Sequence, residues 1–223
     1  MSNSEMTDRT MTLPDELVAE RLDTVRTAIT DLGRADVQIV AVTKGFDASA
    51  VHTAKQLRLT QVGENYAQEI IEKTDDFVGL TVNFLGRIQR NKVRKVCEVV
   101  DVWQSVARPE ILREIGKRTE NARVLIQIQP EGDDSKDGVR PPHLPEMFAI
   151  ADELGVQVEG LMTIGVLGNP EATTRCFSEV AGLADEYEVP VRSMGMSGDY
   201  REALVAGSTM LRLGSVLFGP RPT

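Results

Sequence analysis

With 223 residues, 41% hydrophobic and 26% charged, the chain has an ordinary soluble composition and enough length for one large domain or two small ones. Its net charge of −9 argues against a general nucleic-acid or anionic-membrane binder, which needs a dominant basic field. No apolar run approaches the ~18 residues that span a bilayer, the opening residues lack the apolar core of a secretory signal, and isolated Cys97, Cys176, His52 and His143 offer neither a disulfide framework nor a metal site, so a cytoplasmic protein without a metal centre is expected.

Residues 1–12 are polar and read as a disordered tail. From Pro14 onward, Leu17, Val18, Leu22, Val25, Ile29 and Leu32 recur at helical spacing, with an acidic start and a stop at Gly33. The first β-rich run, 37–43, ends abruptly at Lys44-Gly45. That lysine is either a strand-end side chain snorkelling to solvent or an amine placed for carbonyl chemistry. The second use requires burial or nearby positive charge to favour the free base below its usual pKa of ~10.4. Further strands read at 60–64, 81–85, 99–104, 123–129, 157–162, 190–195 and 209–214. Helical periodicity falls between them at about 47–58, 65–73, 88–97, 109–120, 141–154, 170–187 and 199–206. Asp47 reads as an N-cap, Asn169 as a cap before Pro170, and Ser197 or Asp199 as the start of the helix through Tyr200.

Strands separated by helices pair in parallel through right-handed crossovers, and eight such units close into one α/β barrel of the (β/α)8 TIM type over 13–223. Only Val216–Thr223 follows the last strand, too little for another packed helix, so helix 14–33 is expected to fill the eighth helix position. A doubly wound open sheet is the alternative, but Lys44-Gly45-Phe46-Asp47 is not a dinucleotide fingerprint.

In such barrels ligands bind at the C-terminal ends of the strands, with phosphate often held by the loops after strands seven and eight. Here those loops are Ser193-Met-Gly-Met-Ser197-Gly198-Asp199 and Gly214-Ser215, either ordinary turn and cap residues or backbone N–H groups and a hydroxyl open to an anion. On strand eight, Leu211 and Leu213 share one parity while Met210, Arg212 and Gly214 share the other, and one of the two assignments puts Arg212 inside the barrel. An interior guanidinium needs a partner, either a carboxylate such as Glu64 or a ligand that also reaches Lys44.

The runs Ala41-Val-Thr-Lys44, Gly63-Glu-Asn-Tyr66 with Gln68-Glu69, Phe84-Leu-Gly-Arg-Ile-Gln89 with Asn91-Lys92, Gly160-Leu-Met162, Ser193-Met-Gly-Met-Ser197 with Asp199, and Arg212-Leu-Gly214 with Phe218-Gly219 resemble, in this order, the pyridoxal-phosphate homeostasis proteins of the YggS/PROSC type. The resemblance covers nearly everything after the first helix. It implies a barrel like the N-terminal domain of alanine racemase, with pyridoxal 5′-phosphate (PLP) held as an internal aldimine on Lys44. It further implies that Ser197, Gly214 and Ser215 hold the phosphate, that Arg212 faces the pyridine nitrogen, and that Asn65 and Met196 line the cofactor. Two positions depart from many relatives: Phe46 stands where they carry a second lysine, and Asn83 where they carry a histidine. Lys136 corresponds roughly to another lysine of relatives, although an exposed, solvated lysine is the plainer description.

The resemblance implies a carrier or buffer of the cofactor, with apo PLP enzymes as partners, rather than a strong catalyst. An arginine beside the pyridine nitrogen disfavours its protonation and weakens the ring as an electron sink. The chain ends soon after its last strand, leaving no second domain to supply a tyrosine base, and Tyr66 and Tyr200 are expected to serve in helix packing or face solvent. A low-activity amino-acid racemase and a Schiff-base aldolase on phosphorylated substrates are the rival readings. The cluster Arg87, Arg90, Lys92, Arg94 and Lys95 reads as a solvated face rather than a nucleic-acid grip, and a monomer is expected.

Overall fold

The computed structural model describes residues 14–129 and 137–221; the tail 1–12 and Lys136 lie outside them. Eight parallel strands close in chain order into a barrel: β1 (Gln38–Val42), β2 (Gln61–Glu64), β3 (Thr81–Phe84), β4 (Val102–Val106), β5 (Arg123–Gln127), β6 (Gln157–Met162), β7 (Val191–Ser193) and β8 (Met210–Leu213). The helices are α1 (Asp15–Asp31), α2 (Ala48–Gln56), α3 (Ala67–Glu72), α4 (Arg90–Val96), α5 (Pro109–Arg118), α6 (Leu144–Glu153), α7 (Pro170–Glu186), α8 (Tyr200–Val205) and α9 (Ser215–Phe218). The architecture is the one expected from the alternation of strand and helix signals. No helix among the described residues is long and apolar enough to cross a membrane.

Local chemistry sets the element starts. Asp47 accepts from the Ser49 amide at 2.9 Å and Asn169 from the Ala172 amide at 3.0 Å, each satisfying a free first-turn donor. Helix α1 takes the eighth helix position: Asp15 accepts from Thr53 Oγ1 at 2.6 Å at one end, and beyond its other end Arg34 donates to the Ser208 carbonyl at 2.9 Å. It thus bridges α2 to the residues that enter β8.

Two expectations need correction. The fourth strand begins at Val102 rather than Val99, because the Val99 and Val100 amides both bond back to the Val96 carbonyl and close the turn after α4. The segment after β8 is not too short for a helix: α9 forms over four residues and buries Leu217 and Phe218.

The core has two layers. Between strands and helices lies the larger one, with Trp103 stacked on Phe84 at 5.5 Å between centroids. Inside the barrel a smaller group, Val40, Val42, Leu85, Val102, Leu125, Met162 and Met210, fills the lumen. Leu211 and Leu213 join the outer layer and Arg212 points inward, which fixes the parity of β8.

The remaining lumen is polar, and its hydrogen bonds run one way. Arg212 Nη1 donates to Ser193 Oγ at 2.7 Å, Ser193 Oγ to Gln104 Oε1 at 2.7 Å, and Gln104 Nε2 to Asn83 Oδ1 at 2.7 Å. Asn83 Nδ2 then donates to Gln61 Oε1 at 3.2 Å, and Gln61 Nε2 to Gln38 Oε1 at 2.5 Å. Donors and acceptors in series polarise one another, so the chain is cooperative and sensitive to the loss of any link. Gln104→Leu would strand the Ser193 hydroxyl and the Asn83 carbonyl. Urea denaturation should show a loss of about 1–3 kcal/mol, and an unchanged midpoint would show that this chain does not stabilise the barrel.

Candidate functional site

The register of β1 against β8 pairs Val40 with Arg212 and Ala41 with Leu213, so Lys44 emerges at the C-terminal end of the barrel beside the loop that follows β8. There a cavity of about 760 Å³ opens, lined among others by Lys44, Asn65, Met196, Ser197, Arg212, Gly214 and Ser215. All seven residues singled out from the sequence therefore share one space. Val42, Leu85, Met162 and Ile164 give it an apolar side, and Gly45, Phe46, Gly198, Pro220 and Arg221 complete the lining.

Lys44 is half-buried. Burial is the main force holding its amine below the ordinary lysine value, and the positive charge of Arg221 acts in the same direction. Glu69 opposes this, Arg212 adds to it, and Glu64 opposes it more weakly. A larger share of free amine at neutral pH makes the side chain a better nucleophile toward a carbonyl carbon.

The backbone on both sides of Lys44 is held by a buried ion cluster that the sequence does not announce. Lys73, just past the end of α3 and only 4% exposed, donates to Glu64 Oε1 at 2.8 Å, to the Thr43 carbonyl at 3.0 Å and to Glu69 Oε2 at 3.2 Å. Thr43 Oγ1 donates to Glu64 Oε1 at 2.6 Å, and Glu69 Oε2 accepts from the Gly45 amide at 2.8 Å. Thr43 and Gly45 are thus both tied to the same three charges. Gly45 has φ of 76°, a left-handed conformation that suits glycine and turns the chain away directly after the lysine. Burial pushes the Glu64 carboxyl up to about 7 against the pull of Lys73 and Thr43.

Glu64 is not the partner of Arg212. Val62, two residues earlier, lies in the outer layer, and by strand alternation Glu64 shares that side, facing α3 instead of the lumen. Arg212 is satisfied by Ser193 and Thr163: Nη1 donates to the Ser193 carbonyl at 2.6 Å and to Ser193 Oγ, and Nη2 to the Thr163 carbonyl at 2.7 Å. Burial lowers its pKa to about 10 while Asp199 pulls the other way, so it remains cationic at neutral pH.

The loops after β7 and β8 are stitched together. Ser197 Oγ accepts from the Val216 amide in the first turn of α9 at 3.0 Å. Asp199, at the start of α8, accepts from the Met196 amide at 2.6 Å, and burial raises its carboxyl above the usual range. Gly195, with φ of 96°, lies where a Cβ would come within 2.6 Å of the Ala203 Cβ; only glycine lets this loop pack on α8. Phe46 is buried against Phe218 with ring centroids 5.7 Å apart, so an aromatic contact occupies the position at which the resemblance implies a second lysine. Asn83 is a link in the lumen chain. Neither Tyr66, which is exposed, nor Tyr200, which is buried, lines the cavity. Arg87, Arg90, Arg94 and Lys95 are exposed on the β3–α4 segment, where Arg87 pairs with Asp137 at 3.1 Å, and they too lie outside the cavity lining.

The ion cluster makes two measurable demands. Lys73→Met leaves a buried carboxylate without its cation and should cost about 3–5 kcal/mol, much of it recovered in the double variant with Glu64→Gln. Folded Glu64 holds its proton to a higher pH than the unfolded chain does. Its contribution is therefore full at low pH and falls as pH rises from 4.5 towards about 7. Denaturation of Glu64→Gln across that interval should lack this fall; parallel pH profiles for variant and parent would refute the assignment.

Comparison with known proteins places the geometry in context. Residues 18–222 match the family model described as alanine racemase, N-terminal domain. The chain is 32% identical over 222 residues to the pyridoxal phosphate homeostasis protein of Aquifex aeolicus, covering 92% of this chain and 97% of that one. It is 35% identical over 209 residues to the protein of the same name from Vibrio cholerae, covering 84% and 87% respectively. The structure of PipY from Synechococcus elongatus PCC7942, with PLP bound, superposes with a TM-score of 0.81 at 30% identity, over 91% of this chain and 100% of PipY. Alanine racemase of Clostridium difficile shares the fold, with a TM-score of 0.75 at 15% identity over 96% of this chain and 60% of the racemase. Barrel, the lysine just past the first strand and relatives agree: the chain belongs to the pyridoxal phosphate homeostasis protein family.

Proposed function

We propose that this chain binds pyridoxal 5′-phosphate through a Schiff-base link to Lys44 and carries or buffers it in the cytoplasm, as a monomer, for delivery to apo enzymes. The observation that carries this reading is the composition of the cavity. A half-buried lysine with a depressed pKa shares it with Ser197, Gly214 and Ser215 on one side and a permanently charged Arg212 below. These residues fit the cofactor's chemistry. Lys44 Nζ suits an aldehyde carbon, the loops after β7 and β8 suit a phosphate, and Arg212 suits an unprotonated ring nitrogen. Asn65 and Met196 would flank the ring. When bound, the cofactor supplies an electrophilic carbon conjugated to a pyridine ring. PLP in the PipY structure, and the shared name of the curated relatives, support the same reading.

The cavity also favours a carrier over a racemase or an aldolase. Its described lining holds no tyrosine, histidine or carboxylate. Lys44 is then the one amine among the described lining side chains, whereas two-face proton transfer needs a second acid–base group. Lys44 can hold the cofactor and regain its own proton on release.

Borohydride reduction of protein loaded with PLP should add the reduced cofactor to the peptide containing Lys44, and Lys44→Ala should abolish the modification. Labelling at another lysine would overturn the assignment. In mixtures with an apo PLP enzyme, the loaded chain should restore activity faster than an equal amount of free cofactor; equal rates would remove the delivery role. Chiral analysis of amino acids incubated with the loaded chain should show no saturable racemisation.

A further inference from the structure

Arg221 lines the cavity and lowers the Lys44 pKa, but the proposed cofactor contacts give it no partner. It follows Pro220 after α9 and folds back over the start of the β1–α2 loop, where a Cβ on Gly45 would lie 3.1 Å from the Arg221 Cδ. Glycine at 45 therefore lets the aliphatic stem of Arg221 cross the backbone directly beside Lys44. The guanidinium makes no hydrogen bond or ion pair among the described residues, and it is close enough to Lys44 for its charge to be the strongest one acting there.

The other charges near the amine are committed. Arg212 spends both terminal nitrogens on Ser193 and Thr163. Glu69 Oε2 accepts from the Gly45 amide and from Lys73, and Glu64 Oε1 from Thr43 and Lys73. The cavity thus has two places for negative charge: the joined loops at Ser197, Gly214 and Ser215, and the guanidinium of Arg221 on the Gly45 side, beside the lysine. An anion bound at the second place sits next to the lysine nitrogen. An α-amino acid has that form, since its amine and carboxylate share one carbon. A lysine side chain or a simple alkylamine brings no anion to that point. A cavity of about 760 Å³ falls in the range that holds a drug-sized ligand, which leaves room for a small amino acid beside the cofactor.

We propose that Arg221 is a carboxylate-recognition group, selecting a free α-amino acid as the second ligand of this cavity with its amino group beside Lys44. The proposal rests on the reading of Lys44 as the cofactor's attachment point. Its effect is specificity: amino acids would engage the loaded chain more readily than amines of equal basicity that lack a carboxylate.

The test titrates the full chain loaded with PLP with glycine and, separately, with ethylamine, following the absorbance of the bound cofactor. The readout is the ratio of the two half-saturating concentrations, so differences in cofactor occupancy cancel. Arg221→Gln should shift that ratio against glycine by roughly twofold to fivefold, the upper range for a solvent-exposed ion pair, and Arg221→Lys should restore part of the preference. An unchanged ratio in Arg221→Gln would overturn the proposal. If borohydride leaves Lys44 unmodified, the attachment reading fails by itself, and calorimetric titration of glycine into the parent and Arg221→Gln decides the matter. A weaker Kd in the variant supports the carboxylate site, and identical isotherms remove it.

Discussion

A guanidinium only 4% exposed in the lumen of a β-barrel has to be solvated by the protein, and much of the interior is arranged to do so. Two carbonyls and a serine hydroxyl take the Arg212 donors directly. The hydroxyl then needs an acceptor of its own, and the demand passes through Gln104, Asn83 and Gln61 to Gln38 at the opposite end of β1. Six of the eight strands contribute a side chain to this path. An isolated buried ion would be far too costly for a domain of marginal stability; a graded series of dipoles makes it tolerable. What the molecule gains is a fixed, permanently charged group at the floor of its cavity.

The lysine is held by a different strategy. Its side chain must stay free, so the restraint falls on the backbone of its neighbours, Thr43 and Gly45, through Lys73, Glu64 and Glu69. This cluster lies between strand and helix rather than in the lumen. Two buried polar systems therefore meet the ligand space from separate sides: one sets a charge below it, the other aims an amine into it. Separating them keeps Arg212 from pairing with Glu64, which would neutralise the floor and loosen the lysine together.

The barrel was legible in the sequence because its signals are local: β-rich runs, helical periodicity, caps at Asp47 and Asn169, and strand parity at Arg212. Lys44, Ser197, Arg212, Gly214 and Ser215 were legible because strand ends converge on one face of such a barrel, whereas Asn65 and Met196 came only from the family resemblance. The ion cluster was not. Lys73 sits in Glu72-Lys73-Thr74-Asp75-Asp76, which has the composition of a solvated surface, and its burial follows from α3 ending early in a 3-10 turn at Thr74–Phe77. The parity of Glu64 was the usable clue, since a carboxylate sharing a side with Val62 calls for a cation from the helix layer. Arg221 was hidden for another reason: it belongs to no element, and only the return of the chain over Gly45 brings it to the lysine. The lumen amides could have been found by asking why Gln38, Gln61, Asn83 and Gln104 occupy strand positions that apolar residues would otherwise fill.

The bond between Ser197 Oγ and the Val216 amide has a further consequence. It joins the last two loops and satisfies a first-turn donor of α9, so under the proposed reading an anion there would compete with a hydroxyl that already holds that amide. The net gain is the difference between two similar hydrogen bonds rather than the whole of one. A site pre-satisfied in this way has a built-in ceiling on how tightly it grips and a ready partner to return to when the anion departs. Under that reading, arrival and departure of the anion exchange one hydrogen bond for another, and neither direction leaves the α9 amide bare.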